Sequence, residues 1–488
     1  MNRPLAVLRD AGTALRERLS AVAGQSERTI LLGTALLLSA VSGTMCFALA
    51  QYYSVDAYSS LVDVPYDCWS PAWIKVGRHC FSDYATIADF GMQPNPWKPS
   101  TSVGSARLGN PYSAAAMVPH KIFALPAAWL HAPRLGLFGY LLALTIAVFT
   151  PAVWAARGAR GLERLVVFVV CGAAAIPAWM VIDRANSVGF VPPLALVFLV
   201  ALRRERWGLV AIAVVLAALV KPQFAVLAVA LFAARQWRLG GIAVVGVVFS
   251  NLAAYLLWPR DFPQTIVESI HNALDLGGLF AQLAQWWNGL YNASFANGLR
   301  LILDNVAARA GRTLSDGFLN SFVSPIGYVV LIVVVACVLA LGRRVPPVMV
   351  GIVLLATASL FAPISFTYYL VFVLPVAALV ARDPDGPPGS GIFDRLATLG
   401  SRRRAVGICV SLAAALTVAQ IVLPGPPFQL PIWGEGFVIV GTTPVVASTA
   451  ELMPILWLVA CTAIIVSYAR KPAPAGQHKN IADSQLRS

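Results

Sequence analysis

Charge is scarce in this chain. Of its 488 residues only 12% are Asp, Glu, Lys or Arg and 58% are hydrophobic, too little polar surface to clothe a soluble fold of this length. Acidic residues are the scarcer sign, 22 against 36 Lys and Arg. A net charge of +14 would suit nucleic acid, but the basic residues fall in short clusters between apolar runs, as cytoplasmic loops concentrate them. The charge therefore reads as topology, and no nucleic-acid partner is expected. Histidine is rare too: His79, His120 and His271 are scattered without ligand spacing, which argues against a metal centre. Of seven cysteines, Cys46, Cys171, Cys337, Cys409 and Cys461 sit inside apolar runs. Cys68 and Cys80 share one polar loop and are open to a bridge if that loop is outside, but two residues make neither a disulfide framework nor a zinc ribbon. Missing as well are a repeat at fixed period, a glycine-rich phosphate loop and a clear cleavage site after the first apolar run, so that run reads as a retained anchor.

What the chain has is apolar runs. They lie near 29–50, 135–156, 164–182, 188–202, 238–258, 326–342, 345–362, 367–381, 404–423 and 452–469. A further stretch, 207–235, is either one long span or a hairpin broken at Lys221 and Pro222, where proline removes a backbone donor. The clusters Arg157/Arg160/Arg164, Arg203/Arg204/Arg206, Arg235/Arg238, Arg343/Arg344, Arg382 with Arg402/Arg403/Arg404, and Arg470/Lys471 can share the cytoplasmic face only if it is a hairpin. The expectation is an all-α polytopic membrane protein of about twelve spans. It has a cytoplasmic segment 1–28, a transmembrane domain 29–469 and a cytoplasmic tail 470–488. The outer loops, near 51–113, 259–325 and 424–451, are expected to carry short helices, and "AAAMVPHKIFALPAAWLH" at 114–131 is read as re-entrant or interfacial because a full crossing would spoil the parity.

Three polar features then share the outer face. "VIDRANSVGFVPP" and "ALVKPQFAV" place Asp183, Arg184, Asn186 and Lys221 at turns in otherwise apolar sequence. Such cations can simply anchor helix ends to headgroups, but two at neighbouring turns beside polar partners point to a built anion site. The first outer loop carries Asp56, Asp63, Asp67, Asp83 and Asp89. Among these Asp67 begins the aromatic, amphipathic segment "DCWSPAWIKVG", suited to the membrane surface, where a carboxylate can take a proton from an interfacial substrate; its neighbour Asp63 remains an alternative. "FAPISFTYYLVFVLP" brings Ser365, Tyr368 and Tyr369, which also suit an interfacial aromatic belt, and "LYNASFANGLRLILD" brings Asn292 and Ser294.

The order of these stretches resembles the GT-C glycosyltransferases that use polyprenyl-phosphate sugars, in particular glycosyltransferase family 87. "DCWSPAWIKVG" resembles the acidic and aromatic stretch after the first span, "NPYSAAAMVP" a Tyr-Pro-Pro-like stretch, "DRAN" the family's "DRGN" turn, and Lys221-Pro222 its downstream Lys-Pro pair. "NASF" resembles "NQSL", and "APISFTYY" resembles "SPISWxHH". The similarity covers roughly residues 30–385, through short motifs in a fixed order. It departs where Ala362 replaces Ser, Phe366 replaces Trp, and Tyr368 and Tyr369 replace paired His. A tyrosine hydroxyl donates a hydrogen bond but brings no positive charge, which shifts more of any phosphate contact to Arg184 and Lys221.

The resemblance implies inverting transfer of mannose or arabinofuranose, on the outer face, from a polyprenyl-phosphate donor to a cell-envelope glycolipid or polysaccharide. Asp67 would be the general base. Arg184, Lys221, Tyr368 and Tyr369 would meet the donor phosphate, and Asp183, Asn186, Trp69 and Asn292 the substrates. No cofactor is implied, and membrane lipid is the other partner. Trp73, Trp286, Trp287 and Trp433 are further candidates for sugar-binding surfaces or interfacial anchors. The main rivals are a transporter or flippase of lipid-linked sugars and a non-catalytic envelope scaffold. Transporters tend to show repeated halves and polar sites at mid-depth, neither of which is found in this sequence.

Overall fold

Long apolar stretches fold as helix because, in lipid, only a helix or a closed sheet satisfies every backbone N–H and C=O internally. The computed structural model describes residues 25–53, 81–98, 101–103, 106–274, 292–312, 325–394, 401–424, 428–433, 437–443 and 446–470. Helix α1 (Glu27–Tyr53) is followed by a short helix α2 (Ser82–Met92), the strands β1 (Thr101–Val103) and β2 (Ala106–Leu108), and helices α3 (Ala114–Trp129) and α4 (Pro133–Ala156). Then come α5 (Gly161–Phe168), which runs into a π turn at Val169–Ala173, α6 (Ile176–Asp183) and α7 (Val191–Arg203). Helix α8 (Trp207–Val220) stops at Lys221, and a 3₁₀ stretch, Pro222–Ala228, leads into α9 (Val229–Ala233) and α10 (Trp237–Ala254). The second half holds α11 (264–274), α12 (Phe295–Arg309), α13 (Ile326–Leu341), α14 (Pro347–Leu360), α15 (Val373–Ala381), α16 (Ser401–Val418) and α17 (Met453–Arg470).

Among the described residues five helices are long and apolar enough to cross a membrane: Glu27–Tyr52, Pro133–Ala156, Trp237–Leu257, Ile326–Arg344 and Thr449–Arg470. The pair Gly161–Ala173 and Ile176–Asp183, bent by 46°, makes a sixth if it is one span. The chain is thus a mainly helical membrane protein. Six further apolar helices, each of 10–17 residues, occupy the other places where spans are expected. The stretch 207–235 is broken at Lys221, whose backbone is extended, and the pieces on either side pack against one another. The stretch at 114–131 forms α3, a helix of 16 residues with Pro119 and Pro126 inside it, lying against α4.

The helical expectation needs one correction, in the loops expected to face outward. Residues 424–451 carry strands as well as a 3₁₀ turn: β3 (Val422–Pro424) pairs with β6 (Val446–Ser448), and β4 (Phe428–Trp433) with β5 (Phe437–Thr443), all antiparallel. β1 and β2 form a third ribbon between α2 and α3. The segment "FVIVGTT" is rich in β-branched residues, which favour the extended backbone over a helix.

Tight reversals between helices use one device. Four helices end on a residue in the left-handed region, none of them glycine: His131 (φ 51°), Ala185 (φ 51°), Glu205 (φ 53°) and Arg235 (φ 61°). In each case the next N–H reaches back five positions: Ala132 to the carbonyl of Ala127 (2.9 Å), Asn186 to Val181 (3.1 Å), Arg206 to Ala201 (2.8 Å) and Gln236 to Leu231 (2.8 Å). This Schellman pattern satisfies the last carbonyls, and the bonds offset a left-handed cost of about 1–2 kcal/mol at each side chain that is not glycine.

One end of the bundle gathers arginines. The Arg28 guanidinium pairs with Glu163, and its Nε donates to the carbonyl of Ala381 (2.7 Å). Arg203 meets Asp383 (3.5 Å), Arg204 meets Asp385 (2.8 Å), and Arg382 donates to the carbonyl of Trp154 (2.6 Å) while lying 4.6 Å from its ring centre. Arg404 donates to the carbonyl of Gln25 (3.0 Å). These contacts draw together arginine clusters far apart in sequence, as the reading of a shared face requires.

Candidate functional site

The opposite end is reached by following the helices away from these arginines. Helix α8 starts just after Arg206 and ends before Lys221; its 14 residues are roughly 21 Å long at 1.5 Å per residue. In the same way Tyr368 and Tyr369, in the 3₁₀ turn Thr367–Phe372, precede α15, which ends beside Arg382.

The turn after α6 and the start of α2 are joined by both backbone and side chains. The Asp83 N–H donates to the carbonyl of Arg184 (3.3 Å). One Asp83 carboxylate oxygen accepts from the Arg184 guanidinium (3.2 Å) and the other from Asn186 Nδ2 (2.7 Å). Asn186 is used twice, since its Oδ1 accepts from the Val188 N–H (2.9 Å) and caps the 3₁₀ turn Ser187–Phe190. The carboxylate lies in the first turn of α2, where the free N–H groups of a helix favour negative charge. The side chains of Asp83 and Arg184 are each only 14% exposed, so the pair is an internal strut. Asp183 is buried at the end of α6.

Aromatic rings link Arg184 to Lys221. The Arg184 guanidinium lies 5.7 Å from the ring centre of Tyr368 and 5.9 Å from that of Phe366. Tyr368 and Tyr369 are adjacent, with centroids 5.1 Å apart, and Lys221 Nζ is 6.0 Å from the Tyr369 ring. Closest to that ammonium is Tyr112, whose ring centre is 4.1 Å away. Lys221 is only 6% exposed, and among the described residues it makes no ion pair with a carboxylate. A buried ammonium is costly unless compensated, and ring faces compensate it only in part. Burial, and next the negative charge of Asp83, hold the Tyr112 phenol well above its ordinary pKa, so it stays neutral with its proton in place. Such an arrangement can hold an anion: two cations, one committed to a carboxylate and one not, around a wall of tyrosines.

Asn292 ties two loops together beside the tyrosine turn. Its Oδ1 accepts from the N–H groups of Ser294 and Ser365 (both 3.0 Å), and its Nδ2 donates to the carbonyl of Pro363 (3.1 Å). Its backbone bridges Phe366, the ring beside Arg184. These bonds use the amide oxygen twice and one of the two Nδ2 donors in joining "NASF" to "APISF", so Asn292 helps to position the tyrosine turn.

Asp67, Asp63, Trp69, Trp73, Cys68, Cys80, Trp286 and Trp287 lie outside the described residues, as does His79. His120 is fully buried, with Nε2 3.2 Å from the Tyr140 hydroxyl. Among the described residues no group of three His, Cys, Asp or Glu side chains gathers as a metal would require. Two members of the cluster escaped sequence reading. Asp83 was one of five carboxylates in its loop, distinguished only by opening the helical stretch "SDYATIADFGM". Tyr112 sits in "NPYSAAAMVP", and nothing local places it against Lys221.

No protein-family model matches this chain, and no curated protein matches it.

Proposed function

We propose that the chain is an integral membrane glycosyltransferase that moves mannose or arabinofuranose from a polyprenyl-phosphate donor to a glycolipid or polysaccharide of the cell envelope. Counting the shorter helices as spans gives about twelve crossings. Both termini are then cytoplasmic in the plasma membrane, and the Arg184–Lys221 end faces outward. The observation that carries the reading is that Arg184 and Lys221 both flank the Tyr368–Tyr369 pair, at the end of the bundle away from the arginine network. A phosphate whose prenyl tail stays in lipid needs cations at that boundary.

In the proposed reaction an acceptor hydroxyl oxygen attacks the anomeric carbon from the face opposite the phosphate. The carbon–oxygen bond to the phosphate breaks, and its electron pair leaves with the polyprenyl phosphate. Asp67 takes the hydroxyl proton. Arg184 and Lys221 offset the growing charge on the leaving phosphate, assisted by hydroxyl donors from Tyr368 and Tyr369. Asp83 acts through Arg184 and Asn186 as a positioning residue, and Asp183, Asn186, Trp69 and Asn292 border the substrates.

The test is a proteoliposome assay with synthetic polyprenyl-phosphate mannose and polyprenyl-phosphate arabinose. It compares the parent protein with Asp67→Asn, Asp63→Asn and Arg184→Ala. Consumption of one donor, abolished by Asp67→Asn, is the expected result. If neither donor is consumed while the lipid-linked sugar crosses the bilayer, the chain is a flippase. If nothing is consumed or moved, the scaffold reading replaces both.

A further inference from the structure

Helix α11 is amphipathic in the reverse of the usual sense. Its inward face is polar: Thr265, Ser269 and Asn272 are buried at spacings of four and three. Tyr255 donates its hydroxyl proton to Ser269 Oγ (2.8 Å), and Asn272 Nδ2 donates to the carbonyls of Trp97 (2.8 Å) and Asn110 (3.2 Å). Its outward face is mainly apolar, with Val267, Ile270 and Leu274 exposed by 51%, 54% and 68%; His271 on the same stripe and Gln264 one turn earlier are its exposed polar members. Spacings of three and four put these three on one stripe. A helix facing water would carry them the other way round.

The height of this stripe is fixed by the span that precedes it. Tyr255 lies in the last turn of the candidate span Trp237–Leu257, so its bond to Ser269 places the middle of α11 level with the end of that span. Trp258 anchors the same corner, donating Nε1 to the carbonyl of Gly91 (2.9 Å) with Lys121 Nζ 3.9 Å over its ring. Leu256 and Leu257, at the end of the span, are exposed by 60% and 51% and continue the apolar surface toward α11. The outward side of that span is exposed along its length: only 17% of its apolar window is buried inside the protein.

We propose that α11 lies along the membrane interface with Val267, Ile270 and Leu274 inserted among the lipid chains, continuing the lipid-facing side of α10. The occupant of this face is the bilayer itself. Polar side chains face inward because the protein supplies their partners, and apolar ones face outward because lipid does. The same packing reaches the candidate site: Trp97 Nε1 donates to the carbonyl of Tyr112 (2.8 Å), and the Tyr112 ring lies against Lys221. The inserted helix would thus set the depth of the Lys221 ammonium relative to the lipid phosphates, whatever reaction the site performs.

The test uses full-length protein in lipid nanodiscs, carrying single nitroxide labels at Gln264→Cys through Leu274→Cys in a background lacking the native cysteines. Relaxation by oxygen, which partitions into lipid, is compared with relaxation by a water-soluble nickel chelate. The expected pattern is oxygen exceeding the chelate several-fold at 267, 270 and 274, with shielding from both reagents at the inward positions 265, 269 and 272. Equal chelate access at every outward position would overturn the proposal, as would shielding from both reagents with dipolar broadening between labels, which would mean a second copy covers the face. Ile270→Glu offers a check free of labels: the expected result is a folded protein with chelate-accessible neighbours and a changed salt dependence of lipid association. Unchanged lipid contact in that variant would overturn the proposal too.

Discussion

At the arginine-rich end Arg28 is 8% exposed and meets Glu163 and the carbonyl of Ala381; at the other end Lys221 is 6% exposed and meets the rings of Tyr112 and Tyr369. The two cations are equally buried but not equally compensated. Arg28, Arg203, Arg204 and Arg382 each have a carboxylate or a carbonyl, which is what structural cations in a low-dielectric setting require. Lys221 makes a direct bond to neither among the described residues and has only the charge of Asp83 at longer range, so the fold carries a cost there that packing alone does not explain. Structural use predicts that removing the charge harms stability, whereas a ligand-binding use predicts that it harms activity and spares stability.

The largest expected effect follows from that contrast. Lys221→Met keeps the length and apolar stem but removes the charge. Donor turnover should fall by about 10²–10³-fold, the range seen when one group stabilising a developing anion is lost. The apparent Tm in detergent should hold or rise, because an uncompensated ammonium is no longer buried. A variant that unfolds early with unchanged turnover would make Lys221 structural and erase the difference between the two ends.

Asp83→Ala should come next. It leaves the Arg184 guanidinium buried without its carboxylate and Asn186 Nδ2 without its acceptor. Breaking a buried pair in this way costs about 3–5 kcal/mol, less in proportion to the exposure that remains. Tm and turnover should fall together. Asp83→Asn, which keeps one acceptor oxygen, should recover part of the Tm and show a raised KM for the donor. A positioning role predicts that split, because Arg184 would be present but poorly aimed.

At the opposite end Arg28→Met should lower the apparent Tm by an amount matching about 2 kcal/mol, the loss of charged hydrogen bonds to Glu163 and Ala381. It should leave the KM for the donor unchanged. A shift in KM as large as that of Asp83→Asn would show that the two ends are coupled and not separate in function.

How far the sequence disclosed these two ends depends on the range of each signal. Helix positions were legible because lipid demands uninterrupted apolar runs, and the break at Lys221-Pro222 because proline and charge coincide there. The shared face of the arginines followed from their clustering between runs, and contacts such as Arg28 with Glu163 and Arg204 with Asp385 join those clusters. Arg184, Lys221, Tyr368 and Tyr369 stood out because polar groups are rare in apolar surroundings. The strut between Asp83 and Arg184 was not legible, since 101 residues separate its partners and five aspartates competed for attention. The strands between α16 and α17 were not legible because their β-branched alternation is short and interrupted by Gly and Pro. Asn292 was visible as a polar residue, but its hydrogen bonds to the backbone of Ser365 and Pro363, some seventy residues away, are set by tertiary packing alone.

That use of Asn292 and its neighbour gives the smallest and most local prediction. Ser294 is the N-cap of α12: its Oγ accepts from the Asn297 N–H (3.1 Å) and donates to the carbonyl of Pro363 (3.1 Å). Ser294→Ala removes both bonds at a fully buried position, and a lost N-cap costs about 1 kcal/mol. The Pro363 carbonyl keeps the Asn292 amide as a donor, so the group left unpaired is the Asn297 N–H, whose loss is the capping cost itself. Because Pro363 lies three residues before Phe366, whose ring faces Arg184, a looser turn should blur donor binding without touching either cation. The expected outcome is a Tm drop smaller than that of Arg28→Met together with a modest rise in donor KM and unchanged turnover at saturation. A fall in turnover at saturation would instead place the "NASF" turn in direct contact with the reacting groups.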